Sequence, residues 1–194
     1  MYFLFLLCAS AAYASFFEHT LHRFLMHRPF FGFTYAYQAH AKIHHHVFGF
    51  DETYHCKRRE DARIISMAWW NGPVLILVTA ILPALAAWYF GDWTIVIVQC
   101  IVAALYYAVY EYIHWCMHLP KAKRRLIERF NVFGCRIFYR LNGHHLLHHR
   151  YMGKNFNVVL PFADLCLGTL VLRSKFAFSQ PRGIDVPDVQ PRRK

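Results

Sequence analysis

Three stretches of the chain are almost free of polar residues. Gly72 to Phe90 reads GPVLILVTAILPALAAWYF and Trp93 to Tyr110 reads WTIVIVQCIVAALYYAVY, and neither contains a charge. Each approaches the ~20 residues that carry a helix across a bilayer core of ~30 Å. Only Gly91 and Asp92 separate them, which predicts a tight helical hairpin. Pro83 is expected to kink its first arm, a defect that neighbouring helices can absorb. Trp69, Trp70, Trp88, Tyr89 and Trp93 fall at the ends of these stretches, where amphipathic rings anchor at a membrane–water boundary. The third stretch is N-terminal, MYFLFLLCASAAYASFF. Ala12-Tyr13-Ala14 resembles a signal cleavage site, but no Lys or Arg precedes the apolar run as a signal peptide requires. It reads instead as a first membrane helix over about residues 2–18, ~25 Å long. A fourth apolar segment, Asn157 to Leu172, is broken by Pro161, Asp164 and Gly168. It is expected to lie on the bilayer surface or re-enter it rather than cross. The pattern therefore predicts an all-α integral membrane helical bundle with three clear spans.

Composition sharpens this picture. The chain has 194 residues, 57% hydrophobic and 17% charged, with a formal charge of +11. Soluble domains are closer to ~25% charged, so an ordinary soluble globule and a disordered chain are both disfavoured. Residues 1–180 read as one membrane domain and 181–194 as a loose basic tail. Lys57, Arg58, Arg59 and Arg63 precede the hairpin, Lys121, Lys123, Arg124 and Arg125 follow it, and its turn carries only Asp92. By the positive-inside rule the turn faces out and both ends face the cytoplasm. Topology thus accounts for the basic balance, and no nucleic-acid partner is expected. The six cysteines form no C-x-x-C pair, and several sit in apolar runs. They read as reduced, buried thiols.

Histidine changes the picture most. Of 14 histidines, all but His55 fall into four clusters. His22 and His27 are spaced H-x4-H, with His19 upstream. His40, His44 and His45 are spaced H-x3-H-H, with His46 adjacent. His114 and His118 are spaced H-x3-H. His145, His148 and His149 are spaced H-x2-H-H, with His144 adjacent. The predicted topology brings all four clusters to the same membrane face, and none lies near the outer turn. On an α-helix His114 and His118 are about 40° apart, and His145, His148 and His149 span about 100°. His22 and His27 would be about 140° apart, so they serve two ions or the helix bends between them. The adjacency of His44 and His45 also suits a two-metal site.

A single histidine is more often a solvated or hydrogen-bonded side chain than a ligand. Ten imidazoles gathered at a membrane face are different, because they repel if protonated and need partners if buried. A metal supplies the partner. Ten exceed what one tetrahedral zinc takes and suffice for two ions. Imidazole suits Fe, Zn, Cu and Ni alike. No H-E-x-x-H occurs, which disfavours a zinc hydrolase. A metal transporter or metal-binding protein is a rival, but the spans carry few polar residues beyond Thr79, Thr94 and Gln99 to pass an ion. Glu18 lies four residues before His22 and Glu111 three before His114. Both are placed to accept N–H bonds from ligand imidazoles.

The boxes H-R-x-x-x-H (His22, Arg23, His27), the His-rich second box ending before Asp51, H-x3-H (His114, His118) and H-x2-H-H (His145, His148, His149) resemble the fatty acid hydroxylase/sterol desaturase superfamily of membrane di-iron enzymes. The closing DLCLGTL, with Asp164, Gly168 and Thr169, is similar too. The resemblance spans about residues 18–170. It implies a helical membrane fold with a cytosolic histidine-rich cap, two Fe ions (or Zn in a purified form), O2 as co-substrate and a lipid drawn from the bilayer. The chain shows no fused haem-binding domain, so a separate electron-transfer protein is implied. The second box departs from the family's frequent H-x2-H-H. Keeping the family's spacing to the following Asp would recruit His45 and His46 and put Lys42 in the leading position; using the first pair recruits His40, His44 and His45, which is favoured because a lysine cannot replace an imidazole. The expected activity is lipid hydroxylation, with desaturation or carotenoid hydroxylation on the same centre as alternatives. A slot between spans and cap is expected to admit the chain, with Phe30, Phe31, Phe33, Phe48 and Trp115 as candidate lining.

Overall fold

The structure, a computed structural model, describes residues 1–123 and 132–172, with side chains described to 123 and again from 136. The tail at 181–194, Arg124, Arg125 and the Cys135 side chain lie outside the described residues. Every regular element among them is helical. Helix α1 (Tyr2–Leu21) continues into a π-turn over His22–Met26. The short helices α2 (Tyr35–Tyr37) and α3 (His45–Val47) flank a second π-turn, Gln38–His44. Then come α4 (Asn71–Phe90), α5 (Thr94–His118), α6 (Val132–Arg150) and α7 (Phe162–Cys166).

Three helical stretches are long and apolar enough to cross a membrane: Tyr2–Met26, Asn71–Phe90 and Thr94–His118. The first runs past the expected end near residue 18, and α5 runs past Tyr110 through the whole third histidine box. Pro83 sits inside α4 without ending it. Gly91 ends α4 in the left-handed conformation (φ 69°), which lacks the Cβ clash that penalises other residues. Leu77, Ile81, Leu85 and Trp88 of α4 are exposed, as are Ile97, Ile101 and Leu105 of α5. Water would leave such a belt unstable, whereas lipid tails would cover it.

Helix α1 packs along α5, and α4 and α5 form the predicted hairpin. The Tyr2 hydroxyl donates to Asp92 in the hairpin turn, so the start of α1 lies beside that turn. The C-terminal ends of α1 and α5, which carry the first and third boxes, therefore lie together at the opposite end. The fourth apolar segment does not cross, because its only helix has five residues. It folds back on α1 instead. Ser15 Oγ donates to the Leu160 carbonyl (2.7 Å) and accepts from the Ala163 N–H (3.0 Å). Phe162, Leu165, Leu167 and Leu172 are left exposed.

The expectation of uniformly buried thiols needs correction. Cys56 and Cys116 are buried, but Cys8 and Cys166 are exposed; all are free. Each exposed cysteine belongs to an apolar stretch and is exposed among the described residues.

Candidate metal centre

The four histidine boxes converge. His22, His27, His40, His45 and His148 form one group, and His44, His114, His118 and His145 a second. Within each, one nitrogen per ring lies within 4.8 Å of all the others. His149 borders both: its Nε2 is 3.1 Å from that of His145, and its ring centre is 4.3 Å from that of His45. All ten sequence-predicted histidines are thus brought together. His46 is exposed and stands apart from both groups. His19 and His144 are buried beside the groups but belong to neither.

Backbone geometry explains how H-x4-H pairs share a target. The His27 N–H donates to the His22 carbonyl, and the His45 N–H to the His40 carbonyl. Both are i→i−5 bonds, which define a π-turn and align residues five apart. The helix does bend between His22 and His27, by widening its turn. His22 Nε2 then sits 2.8 Å from His40 Nε2, which is 3.0 Å from His45 Nε2. The regular register of α5 supplies the H-x3-H pair, and that of α6 the H-x2-H-H set.

The outer nitrogens are held by backbone carbonyls. Nδ1–H of His22 donates to Phe156 (2.5 Å), of His118 to Tyr54 (2.8 Å), of His148 to Lys154 (2.8 Å) and of His149 to Phe48 (2.6 Å). His44 and His114 are held by the backbone of Ile64 and Ile65. A carbonyl only accepts, so each of these Nδ1 atoms carries the proton and each Nε2 turns a lone pair inward. His118 and His149 both point lone pairs at His145 Nε2, and His44 and His114 Nε2 are buried with no hydrogen-bond partner. One N–H on His145 cannot satisfy four inward lone pairs. A cation does, and the donors are imidazoles throughout. The residues therefore fit a metal pair, whose identity imidazole alone does not select.

The expected partners Glu18 and Glu111 do something else. Glu18 accepts from Tyr106 Oη (2.5 Å), Asn157 Nδ2 (3.0 Å) and the Val158 N–H (2.6 Å). Glu111 accepts from the Met67 N–H at 3.3 Å. Neither takes an imidazole N–H: both carboxylates satisfy loop backbone instead, because the ligand rings already use carbonyls. Glu18 clamps the 155–158 loop whose Phe156 carbonyl holds His22.

A buried knot that sequence spacing did not reveal supports the same loop. Asp164 accepts from the N–H groups of Phe156 (2.9 Å) and Asn157 (2.8 Å), from Thr169 Oγ1 (2.6 Å) and from His144 Nε2 (3.1 Å). Thr169 accepts in turn from His19 Nε2 at 2.9 Å. Burial pushes the Asp164 carboxyl upward, but the bonds from His144, Thr169 and the backbone outweigh it and hold the group below its usual range. Asn155 adopts a left-handed conformation (φ 56°), and its side chain bonds the His144 and Val171 carbonyls and the Val171 N–H. The only sequence signal for this knot was the likeness of the DLCLGTL ending to a family close.

Burial disfavours the imidazolium form throughout the centre. It pulls His27 down to about 4 and His148 to about 3, with His40, His44, His145 and His149 also well below 6.5. At neutral pH the rings are uncharged, the form in which imidazole can ligate a metal. The unfolded chain binds protons from pH 6.5 downward, while the folded chain does not until each lowered pKa is reached. Stability of metal-free protein is therefore full above pH 6.5 and falls as the pH drops. The loss continues to about pH 4 through His27 and about pH 3 through His148. Each ring contributes up to about 1.4 kcal/mol per pH unit within its window. Thermal unfolding in detergent across this range is expected to show a steep acid decline. A flat profile would mean the rings are solvated.

Two cavities meet the centre from the helix side. One, of about 370 Å³, lies between α1, α4 and the 35–47 segment, and its inner wall includes His40, His44 and His114. The other, about 60 Å³, continues between α1, α4 and α5 to Thr79 and Ala103, and touches His22. They share Phe17, Leu21, Met26, Met67, Leu75 and Tyr110. Of the rings expected to line such a slot only Phe33 does so. Phe48 is buried against Cys56 and Ile65, while Phe30, Phe31 and Trp115 are exposed.

Comparison with family models, with curated proteins and with solved structures finds no match. What stands is an all-helical chain with three helices able to cross a membrane and two buried histidine groups able to hold metal.

Proposed function

We propose that this chain is a membrane-bound, O2-dependent di-iron oxygenase of the fatty acid hydroxylase/sterol desaturase type, which hydroxylates an unactivated C–H bond of a fatty acyl or related lipid chain. The observation that carries the reading is the apolar slot: it is walled by span residues along its length and by members of both histidine groups at its inner end.

His22, His27, His40, His45 and His148 would hold one ion, and His44, His114, His118 and His145, with His149, the other. Two such irons supply the redox chemistry that reduces O2 and removes hydrogen from carbon. Overall, substrate, O2, two electrons and two protons give alcohol and water. The electrons come from a separate electron-transfer protein. The protein's own part is positional. Phe17, Leu21, Leu75 and Val78 line an apolar bore that straightens a hydrocarbon chain and excludes water. The carbonyls of Phe48, Tyr54, Lys154 and Phe156 keep donor nitrogens facing inward. The charge pattern of the loops supports a cytoplasmic side for this end of the bundle.

Lipid mass spectrometry of cells with and without the chain tests the reading. Gain of one oxygen in a lipid supports hydroxylation. Loss of two hydrogens would replace it by desaturation on the same centre, and an unchanged lipid profile in metal-loaded, reductant-supplied membranes would overturn both. Leu75→Trp, which fills the shared part of the slot, is expected to lower turnover by about tenfold or more while leaving metal content unchanged.

A further inference from the structure

A third cavity, of about 340 Å³, opens on another face of the 35–47 segment. The apolar slot takes Ala36, Ala39 and His40 from that segment; this cavity takes Tyr37, Ala41 and Lys42. Its other walls include Arg23, Arg28, His27 and Phe156. No carboxylate lines it. Among the described residues, no Asp or Glu forms an ion pair with Arg23, Arg28 or Lys42. The Lys42 ammonium lies over the Tyr37 ring, a wall of the cavity; the Arg23 guanidinium lies within 6.0 Å of the Phe156 ring, another wall, and 5.2 Å from the Phe24 ring outside it, over which Arg28 also lies. The Lys42 head is therefore aimed along the lining, and the Arg23 head is shared between the lining and Phe24.

Like charges on an open face spread apart in water; here three share one concavity beside a half-buried histidine of the metal centre. Arginine forks match phosphate oxygens bidentately, and lysine adds a point charge. Three cations suit a group bearing more than one negative charge, and the concave shape suits a small group rather than the acidic face of a protein. We propose that this cavity is a binding site for a phosphate group, held by Arg23, Arg28 and Lys42, and that it is separate from the apolar slot. The phosphate belongs either to a lipid headgroup or to a soluble phosphate compound. The proposal does not depend on the oxygenase reading.

The test uses the full chain in phosphatidylcholine nanodiscs, titrated with inorganic phosphate and followed by phosphorus NMR line broadening. Saturable binding is expected, weakening as salt is raised. Arg28→Gln and Lys42→Gln remove exposed cations that the fold does not bury, and each is expected to weaken binding about tenfold. Lys57→Gln, an exposed cation paired with Glu52 and outside the cavity, is expected to bind as wild type does. Repeating the titration with phosphatidic acid in the disc separates the sources. Competition with inorganic phosphate identifies a headgroup, and undisturbed binding identifies a soluble compound. The proposal is overturned if neither inorganic phosphate nor phosphatidic acid binds saturably, or if binding is equal in wild type, Arg28→Gln and Lys42→Gln.

Discussion

Replacing His148 with alanine is expected to strip metal from one histidine group and leave the other loaded. His148 Nε2 lies 3.1 Å from both His27 and His45, so it closes the ring of donors in its group. Its Nδ1 is fixed by the Lys154 carbonyl, so its Nε2 is held facing the group. Metal content measured on purified protein should fall by about half, given two groups, and lipid oxidation should be lost. His145→Ala should produce the complementary loss in the second group. If His148→Ala retained full metal content and full activity, His148 would be no ligand. If either variant lost both ions equally, the two groups would be one site and not two.

Asp164→Ala has the second large expected effect, although Asp164 touches no donor nitrogen. Removing the carboxylate leaves the Phe156 and Asn157 N–H groups buried without acceptors and frees His144 and Thr169. Losses of this kind cost about 3–5 kcal/mol. The damage reaches the metal through one further bond, because the displaced Phe156 carbonyl no longer fixes His22. Metal affinity is expected to drop about 10- to 100-fold, as for loss of other outer partners of metal ligands. Asp164→Asn retains the shape and one acceptor and should fall between the two. Apparent melting temperature in detergent and competition with a metal chelator read the two effects separately. Unchanged metal affinity in Asp164→Ala would show that the 155–158 loop does not set the His22 ring.

The sequence announced the helices because lipid imposes a simple rule: about twenty consecutive residues without charge. Gly91-Asp92 marked the hairpin turn as clearly. The gathering of four histidine boxes was also legible, since the spacing of spans forces distant segments to one end. What stayed hidden shares one physical cause. The partners of the outer nitrogens are main-chain carbonyls at residues 48, 54, 154 and 156, and every residue type carries the same carbonyl. Glu18 and Glu111 were plausible partners by spacing, but loop amides with no other acceptor claimed them. His22 and His27 presented a different difficulty. A period of 3.6 residues placed them on different faces, and the wider turn that reconciles them depends on packing against His40 and His148 rather than on local preference.

That wider turn has a consequence for how the molecule tolerates change. A π-turn is an ordinary helix with one residue too many, so each of the first two boxes carries its own surplus residue. Deleting Phe24 would remove the surplus and restore a more regular helix. It would also turn H-x4-H into H-x3-H, leaving His22 and the shifted His27 about 40° apart on an ordinary helix, as in the third box. The chain would gain local order and keep that pair of rings on one face. The irregularity therefore absorbs an extra residue without turning either histidine away from their shared focus.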